Sequence, residues 1–379
     1  MGMRVSCLQD NLARGLNIVS RAVGVRSTLP VLSNVLIATD NGRLRLAATN
    51  LDLSIVSWIG ASVEEDGAIT VPARTLNDLV NMLSPERVDM DVAVRTTSLH
   101  LTCGATTANI RGIDAQEFPI IPEAGEEDDS LLIPAGELRD MIGMVAFAAA
   151  RDDSRPVLTG VLVNFQDGLL TMAAADGFRL SVRECAVETD YYGSFSLVVP
   201  ARAMQELARI IGDEDETVKL VLPQERSQAI FHMPNAQVVT TLIDGAFPDY
   251  RQIIPRDNPT RTVVDTLSLL QACRRADIFA REANHTVRLS IEPQDGMAGV
   301  LRVSAQASET GENEVILDAS IEGEALEIAF NVRYLIEVLN VVHHDRVMIG
   351  TSSAEKPGVI KAVGDDSFTH VIMPMHIGR

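Results

Sequence analysis

At 379 residues the chain is too long for one ordinary hydrophobic core and points to two or three domains. Its net charge of −20 excludes a protein that coats itself in nucleic acid through one large basic face, though not a small segregated one. Hydrophobic residues are 46% and aromatics only 4%, with Trp58 the one tryptophan, so the cores must be built from Val, Leu, Ile, Ala and Met. No window approaches the roughly 18 uninterrupted apolar residues of a membrane span. Met1-Gly2-Met3-Arg4 lacks the charged leader and apolar block of a secretory signal. Cys7, Cys103, Cys185 and Cys273 form no C-x-x-C pair and read as reduced cytosolic thiols in or near cores.

Along the chain one pattern recurs with a period of roughly 128 residues, and repeats of this kind dictate architecture. A helical stripe of Leu8, Leu12, Leu16, Val19 and Val23 comes first. Pro30-Val31-Leu32-Ser33-Asn34-Val35-Leu36-Ile37 then reads as a strand, turning at Asp40-Asn41-Gly42 into Leu44-Arg45-Leu46-Ala47-Ala48. Asn-Gly and Asp-Gly tolerate positive φ and so favour tight hairpins. Next, Val71-Pro72-Ala73-Arg74 precedes Leu76, Leu79, Val80 and Leu83, the i, i+3, i+4, i+7 stripe of a short amphipathic helix.

The second copy has its first helix at Leu138, Met141, Ile142 and Val145, and its hairpin runs from Pro156-Val157-Leu158-Thr159-Gly160-Val161 through Gln166-Asp167-Gly168 to Leu170-Thr171-Met172-Ala173-Ala174. Val199-Pro200-Ala201-Arg202 heads its second stripe of Met204, Leu207, Ala208 and Ile211. A third, more diverged copy has a weak helix around Leu270, Cys273 and Asp277, a strand from Thr286, and Phe330-Asn331-Val332-Arg333 ahead of Leu335, Val338, Leu339 and Val342. The first two copies close near Phe118-Pro119 and Phe247-Pro248; an acidic run from Glu123 to Ser130 and a segment near Pro255 to Thr262 read as joins. The expected domains are therefore 1–125, 129–255 and 260–379.

Two helices per copy cannot cover both faces of a sheet. The reading is α+β, with helices gathered on one face of antiparallel sheets and the other face meeting solvent. The stretches 8–23, 74–83, 137–151, 201–211, 266–281 and 332–342 carry a small positive balance, while the remainder carries all of the acidic excess. A mildly positive helical surface on an acidic body can hold phosphates without reading sequence.

Competing chemistry is thin. His343-His344-Asp345 is the best metal-like cluster, but it lacks H-E-x-x-H spacing and a partner cluster. Asp152-Asp153 and Glu126-Glu127-Asp128-Asp129 have no companion base. No phosphate loop or G-x-S-x-G elbow is present, so neither a cofactor nor a metal is expected. Two readings remain open at this point: a hydrolase, whose activity would depend on His343 and Asp345, and a repeat scaffold that binds proteins but not DNA.

From Met3 to Ile377 the chain resembles the bacterial DNA sliding clamps, the beta subunit of the replicative polymerase. The marks are Arg26-Ser27-Thr28-Leu29-Pro30, Asp176-Gly177-Phe178-Arg179-Leu180, Phe247-Pro248-Asp249-Tyr250-Arg251 and Val371-Ile372-Met373-Pro374-Met375, in order on the threefold repeat. The resemblance implies three tandem clamp folds with helices inside and sheets outside. It also implies a head-to-tail homodimeric ring around duplex DNA, bound topologically and without sequence preference, and no catalysis. It implies a cytoplasmic, nucleoid-associated protein that tethers the replicative polymerase, clamp loader and repair proteins by short linear peptides, with no membrane partner. The implied peptide-binding residues are Arg155, Leu158, Ala175, Gly177, Phe178, Arg179, Leu180, Pro248, Gln252, Ile253, Val371, Ile372, Met373, Pro374, Met375, His376 and Ile377. A wall of aliphatics, methionines and proline suits one or two apolar anchors. Implied DNA contacts are Arg26, Arg74, Arg202, Arg209 and Arg333; the implied dimer contact sets Ala108 and Ile110 against Ile278 and Phe279. This chain departs from the family's habit in having Phe178 for a frequent histidine, Gln252 for a basic residue and Ala108 for an aromatic, and Asp152 replaces a non-acidic residue at a DNA-contact position.

Overall fold

The computed structural model describes all residues except 1, 25–28, 94, 126–129, 190, 213–215, 223–226, 295–298 and 377–379. The first copy runs β1 (Arg4–Leu8), α1 (Gln9–Val19), β2 (Asn34–Asp40), β3 (Arg43–Thr49), β4 (Leu53–Gly60), β5 (Ser62–Glu65) and β6 (Ala68–Pro72). It continues with α2 (Ala73–Met82), β7 (Arg87–Ala93), β8 (Ser98–Cys103) and β9 (Thr106–Arg111). The second has β10 (Ser130–Pro134), α3 (Ala135–Val145), β11 (Gly160–Gln166), β12 (Leu169–Ala175), β13 (Arg179–Ala186) and β14 (Phe195–Pro200). Its second half is α4 (Ala201–Ile210), β15 (Thr217–Val221), β16 (Gln228–Met233) and β17 (Ala236–Thr241). The third has β18 (Thr260–Asp265), α5 (Thr266–Ala280), β19 (Thr286–Glu292), β20 (Gly299–Ala307), β21 (Gly311–Glu322) and β22 (Leu326–Asn331). It ends with α6 (Val332–Val341), β23 (Arg346–Thr351), β24 (Gly358–Ala362) and β25 (Asp365–Ile372).

All six helices stand where the apolar stripes put them. Leu12, Leu16 and Val19 are fully buried, but Leu8 is 60% exposed, because it closes β1 instead of opening the helix. The stretch 137–151 is helical only to Val145, after which a 3-10 turn takes over at Ala146–Ala148. Both expected hairpins are tight: Asn41 and Gly42 have φ of 47° and 76°, and Asp167 and Gly168 have 51° and 77°. Two successive positive φ values are the backbone of a type I′ turn. Asp265 caps α5 by accepting from Ser268 N at 2.7 Å, and the Ser268 hydrogen bonds hold its carboxyl below the usual value.

By contact density the chain divides into two compact units, Met1–Leu138 with Glu206–Leu242, and Arg139–Gln205 with Ile243–Arg379. The first unit holds a sheet ordered β5-β1-β7-β8-β9 and a sheet ordered β10-β15-β16-β17-β4-β3-β2-β6. The second holds a single order, β14-β11-β12-β13-β25-β24-β23-β18-β21-β20-β19-β22. Each unit thus contains one joint where strands of successive copies pair antiparallel: β4 with β17, and β13 with β25. The ladders are alike. Ile55 faces Val238, and its counterpart Ser181 faces His370. Just before each ladder, Thr241 N donates to Asp52 O at 2.9 Å and Met373 N to Phe178 O at 2.8 Å.

The helix side carries the main cores. In the third copy Leu269, Cys273 and Ala276 of α5 and Leu335 and Val338 of α6 pack with Val287, Leu301 and Phe368. The other face of the sheets is not left to solvent throughout, contrary to expectation. At the first joint Phe118 and Ile121 cover Ala47, Val56, Ile230 and Val239. At the second, Tyr250 with Phe247 and Ile254 covers Ala173, Leu180, Val182 and Val371. The chain leaving β9 and β17 is apolar enough to lie across the joint it has just formed, and burying it there removes apolar area from water. Cys7, Cys103 and Cys273 are buried and Cys185 is partly so; burial pushes the Cys7 and Cys273 thiols up to about 12.

Candidate functional site

The implied peptide-binding residues within the described chain all fall in the second unit, around the start of β13 and the end of β25. The loop 176–178 between β12 and β13 is built on Asp176, whose Oδ1 accepts from Phe178 N at 2.9 Å and Arg179 N at 3.0 Å. Gly177 sits at φ +94°, where side chains are strained, and a Cβ there would stand 3.0 Å from the Arg155 guanidinium. Arg155 itself donates to Asp176 O at 3.1 Å. This tight loop leaves Phe178 60% exposed.

Strand alternation divides the implied set in two. Leu180 and Val371 join Ala175, Tyr250 and Phe247 on one face, while Ile372 belongs to the helix-side core. Arg179 goes with Ile372, its register partner, and is only 5% exposed. Its guanidinium donates to Asp176 Oδ2 at 3.1 Å, to Phe147 O at 2.7 Å and to Glu337. It also stacks on the rings of Tyr334 at 4.4 Å and Phe147 at 5.3 Å. Arg179 and Ile372 are therefore interior members of the joint, not wall residues open to a ligand.

What stays accessible is a surface of Phe178, Ile253 (43%) and Met373 (39%), with Pro248 exposed and Pro374 and Met375 half-buried. Leu158 lies beneath at 7% exposure. The terminal segment is pinned at two points, by Met373 N to Phe178 O and by Met375 N to Ala329 O, each at 2.8 Å. Thr286 Oγ1 lies 3.6 Å from Met375 Sδ. Gln252 is exposed and donates through Nε2 to Asp249 Oδ2 at 2.8 Å on the surface. Among the described residues, three separate cavities touch the set: about 700 Å³ beside Gln252 and Ile253, 550 Å³ beside Pro248 and 870 Å³ beside His376. None of these three is lined by Phe178, Met373 or Met375. Ile377 lies outside the described residues.

Sequence reasoning missed the interior cluster behind this surface. His370 is fully buried and lies 2.6 Å through Nδ1 from Ser181 Oγ. Its ring stacks on Phe147 at 5.6 Å. Burial, with Arg179 nearby, pulls its pKa down to about 3. The signal was present in the alternation of Phe368, His370 and Ile372, which places all three on one face of β25.

Of the implied DNA contacts, Arg74 and Arg209 are exposed but paired, with Asp78 at 3.7 Å and Glu206 at 2.8 Å. Arg202 and Arg333 are exposed, and Arg26 lies outside the described residues. At the implied dimer contact Ile110 is buried and Ile278 is 61% exposed, Ala108 is half-buried, and Phe279 leans on the core. His343, His344 and Asp345 are exposed; the backbone oxygens of His344 and Asp345 accept from Thr266, so this turn serves to hold α5. No group of three metal-ligating side chains gathers among the described residues, and no described helix is long and apolar enough to cross a membrane.

Three stretches match the DNA polymerase III beta subunit: residues 3–122 its N-terminal domain, 132–249 its central domain and 251–376 its C-terminal domain. The beta sliding clamp of Synechococcus elongatus is 35% identical over 99% of this chain and 100% of its own. That of Bacillus subtilis is 29% identical over 98% and 99%. A crystal structure of the Bacillus subtilis clamp superposes with a TM-score of 0.93 at 28% identity, covering 100% of both chains. The Pseudomonas aeruginosa clamp bound to griselimycin superposes at 0.91 with 30% identity, again over 100% of both. The chain belongs to the DNA polymerase III beta subunit family, the sliding clamps, which are non-catalytic processivity factors of DNA replication.

Proposed function

We propose that this chain closes as a head-to-tail homodimer around duplex DNA and offers the surface at Phe178, Ile253, Met373 and Met375 to short linear peptides. The peptides would come from the replicative polymerase, the clamp loader and repair proteins, in the cytoplasm at the nucleoid. The division into 1–125, 129–255 and 260–379 is part of the same reading. Its main support is the repeated joint: β4–β17 and β13–β25 follow one pattern, and the leftover strands of each kind keep an open edge, β9 along its length and β21 over residues 311–319, where it pairs only with β20, its Ser320–Glu322 end being taken by β18. An unpaired edge is a template for another strand, and a second copy supplies the matching one. Ala108 and Ile110 on β9, and Ile278 and Phe279 on α5 beneath β21, would then meet at the closure.

Closure makes binding mechanical, so individual phosphate contacts can stay weak and the ring free to slide. Arg14, Arg202 and Arg333 are exposed, with no carboxylate at ion-pair distance among the described residues, and suit this role. An apolar peptide anchor would insert between Phe178 and Met373, with methionine adapting to related side chains; that the Pseudomonas aeruginosa relative is bound to griselimycin accords with a clamp that takes a ligand.

The test is topological. Loaded on nicked circular DNA, the protein stays bound; cutting the circle releases it. Equal release from circular and linear DNA would end the ring reading and leave a protein scaffold.

A further inference from the structure

The two joints inside the chain are alike in backbone and unlike in filling. In register, Ser57 faces Ala236 at the first joint, and Arg183 faces Phe368 at the same place in the second. Phe368 is fully buried in the helix-side core, and Arg183 pairs with Asp365 and Ser367 beside it. The helix packed on each joint follows suit. Counted from the helix starts, Gln9 and Ala135, Gly15 of α1 stands where α3 has the fully buried Met141. Three large side chains of the second joint are thus a serine, an alanine and a glycine in the first.

The first joint holds a cavity of about 320 Å³, wholly within the first unit, with Arg14, Gly15, Ser57, Ile59, Glu216 and Ala236 in its lining. Its size is that of a small-molecule site, and packed interiors leave few voids so large. The lining is not plain apolar surface. Ser57 is 3% exposed, and its hydroxyl has no hydrogen-bond partner among the described residues; burying a polar group unpaired is unfavourable. Arg14 and Glu216 have no ion-pair partner among the described residues either. A cation and a carboxylate, both unmatched, therefore border one hollow.

We infer that this cavity is a binding site for an aromatic α-amino acid. The ring takes the space that Phe368 fills in the second joint, against Ile59 and Ala236. The carboxylate meets Arg14 and the ammonium meets Glu216, each through a charge-assisted hydrogen bond. An apolar guest would leave both charges unmatched, and an inorganic anion would leave the hollow unfilled. The site is separate from the peptide surface, which lies in the second unit, and it does not depend on ring closure.

Saturation-transfer NMR on the full chain, with L-phenylalanine as probe, tests this. DNA is left out because Arg14 also suits phosphate. Binding at a Kd on the order of 1 mM is expected for a ligand of this size. Ala236→Phe restores the ring found at 368. It should weaken binding at least about tenfold, and its melting temperature should equal or exceed the parent's, as cavity filling does. Arg14→Gln and Glu216→Gln should each weaken binding several-fold. Phenylacetate, which lacks the ammonium, should bind several-fold more weakly than phenylalanine, and equally to the parent and to Glu216→Gln. No transfer at roughly 10 mM phenylalanine, or binding untouched by Ala236→Phe, overturns the site. So does an Ala236→Phe chain less stable than the parent, because the ring then has no space to enter. Phenylacetate bound as tightly as phenylalanine overturns the amino-acid assignment.

Discussion

His370 shows how a residue unremarkable in sequence becomes a constraint on stability. It lies in the second joint against Ser181, fully buried, with Phe147 and Phe368 on its faces and the Arg179 guanidinium nearby. Burial and that positive charge lower its pKa to about 3 from 6.5. The unfolded chain therefore binds a proton that the folded chain refuses between pH 6.5 and about 3. Stability is present above the unfolded pKa and lost as pH falls through this window, at a slope approaching 1.4 kcal/mol per pH unit. Asn at this position could keep a hydrogen bond to Ser181 without titrating. In urea melts across that window, His370→Asn should lose stability less steeply than the parent chain; parallel slopes would contradict the assignment. Arg179 shows the converse. The family resemblance implies it as a wall of the peptide site, and in the structure period-2 alternation turns its side chain inward, to Asp176, Glu337 and two aromatic rings.

Among elements, the terminal segment does two jobs. As β25 it completes the joint with β13; beyond Ile372 it crosses from Phe178 to Ala329 by two backbone hydrogen bonds and supplies Met373 and Met375. Removing residues 373–379 leaves the β13–β25 ladder and the open edges of β9 and β21 intact. The truncated chain should keep its dimer mass and lose at least about tenfold in affinity for a polymerase tail peptide, since one buried apolar anchor is worth about 1.5–3 kcal/mol. Fluorescence anisotropy reads this directly, and unaltered affinity would move the peptide elsewhere. The helices were legible because their stripes repeat at 3.6 residues and the second helix of each copy carries an arginine as its second residue, Arg74, Arg202 and Arg333. The exception, Leu8, is a strand end whose side chain happens to continue the stripe.

For the whole molecule, the contrast is between an acidic body and helices with a slight positive balance. Phosphate contacts of that kind share their load, so replacing one exposed arginine should change little. Reversing Arg14, Arg202 and Arg333 together to Glu should shorten retention on nicked circular DNA several-fold and leave the dimer intact, because none of the three has an ion-pair partner among the described residues. Retention equal to the parent chain would remove these helices from the DNA path.

The sequence by itself determined the threefold repeat, the six helices, the tight turns at Asn41-Gly42 and Asp167-Gly168, and the apolar character of the terminal strand. All of these follow from local periodicity and backbone preference. Only the tertiary structure decided which strands of successive copies pair, which apolar linkers fold back over the joints, and which half of the implied peptide site faces outward. Those outcomes depend on register between segments more than a hundred residues apart, where a one-residue change turns the same side chain from surface to interior.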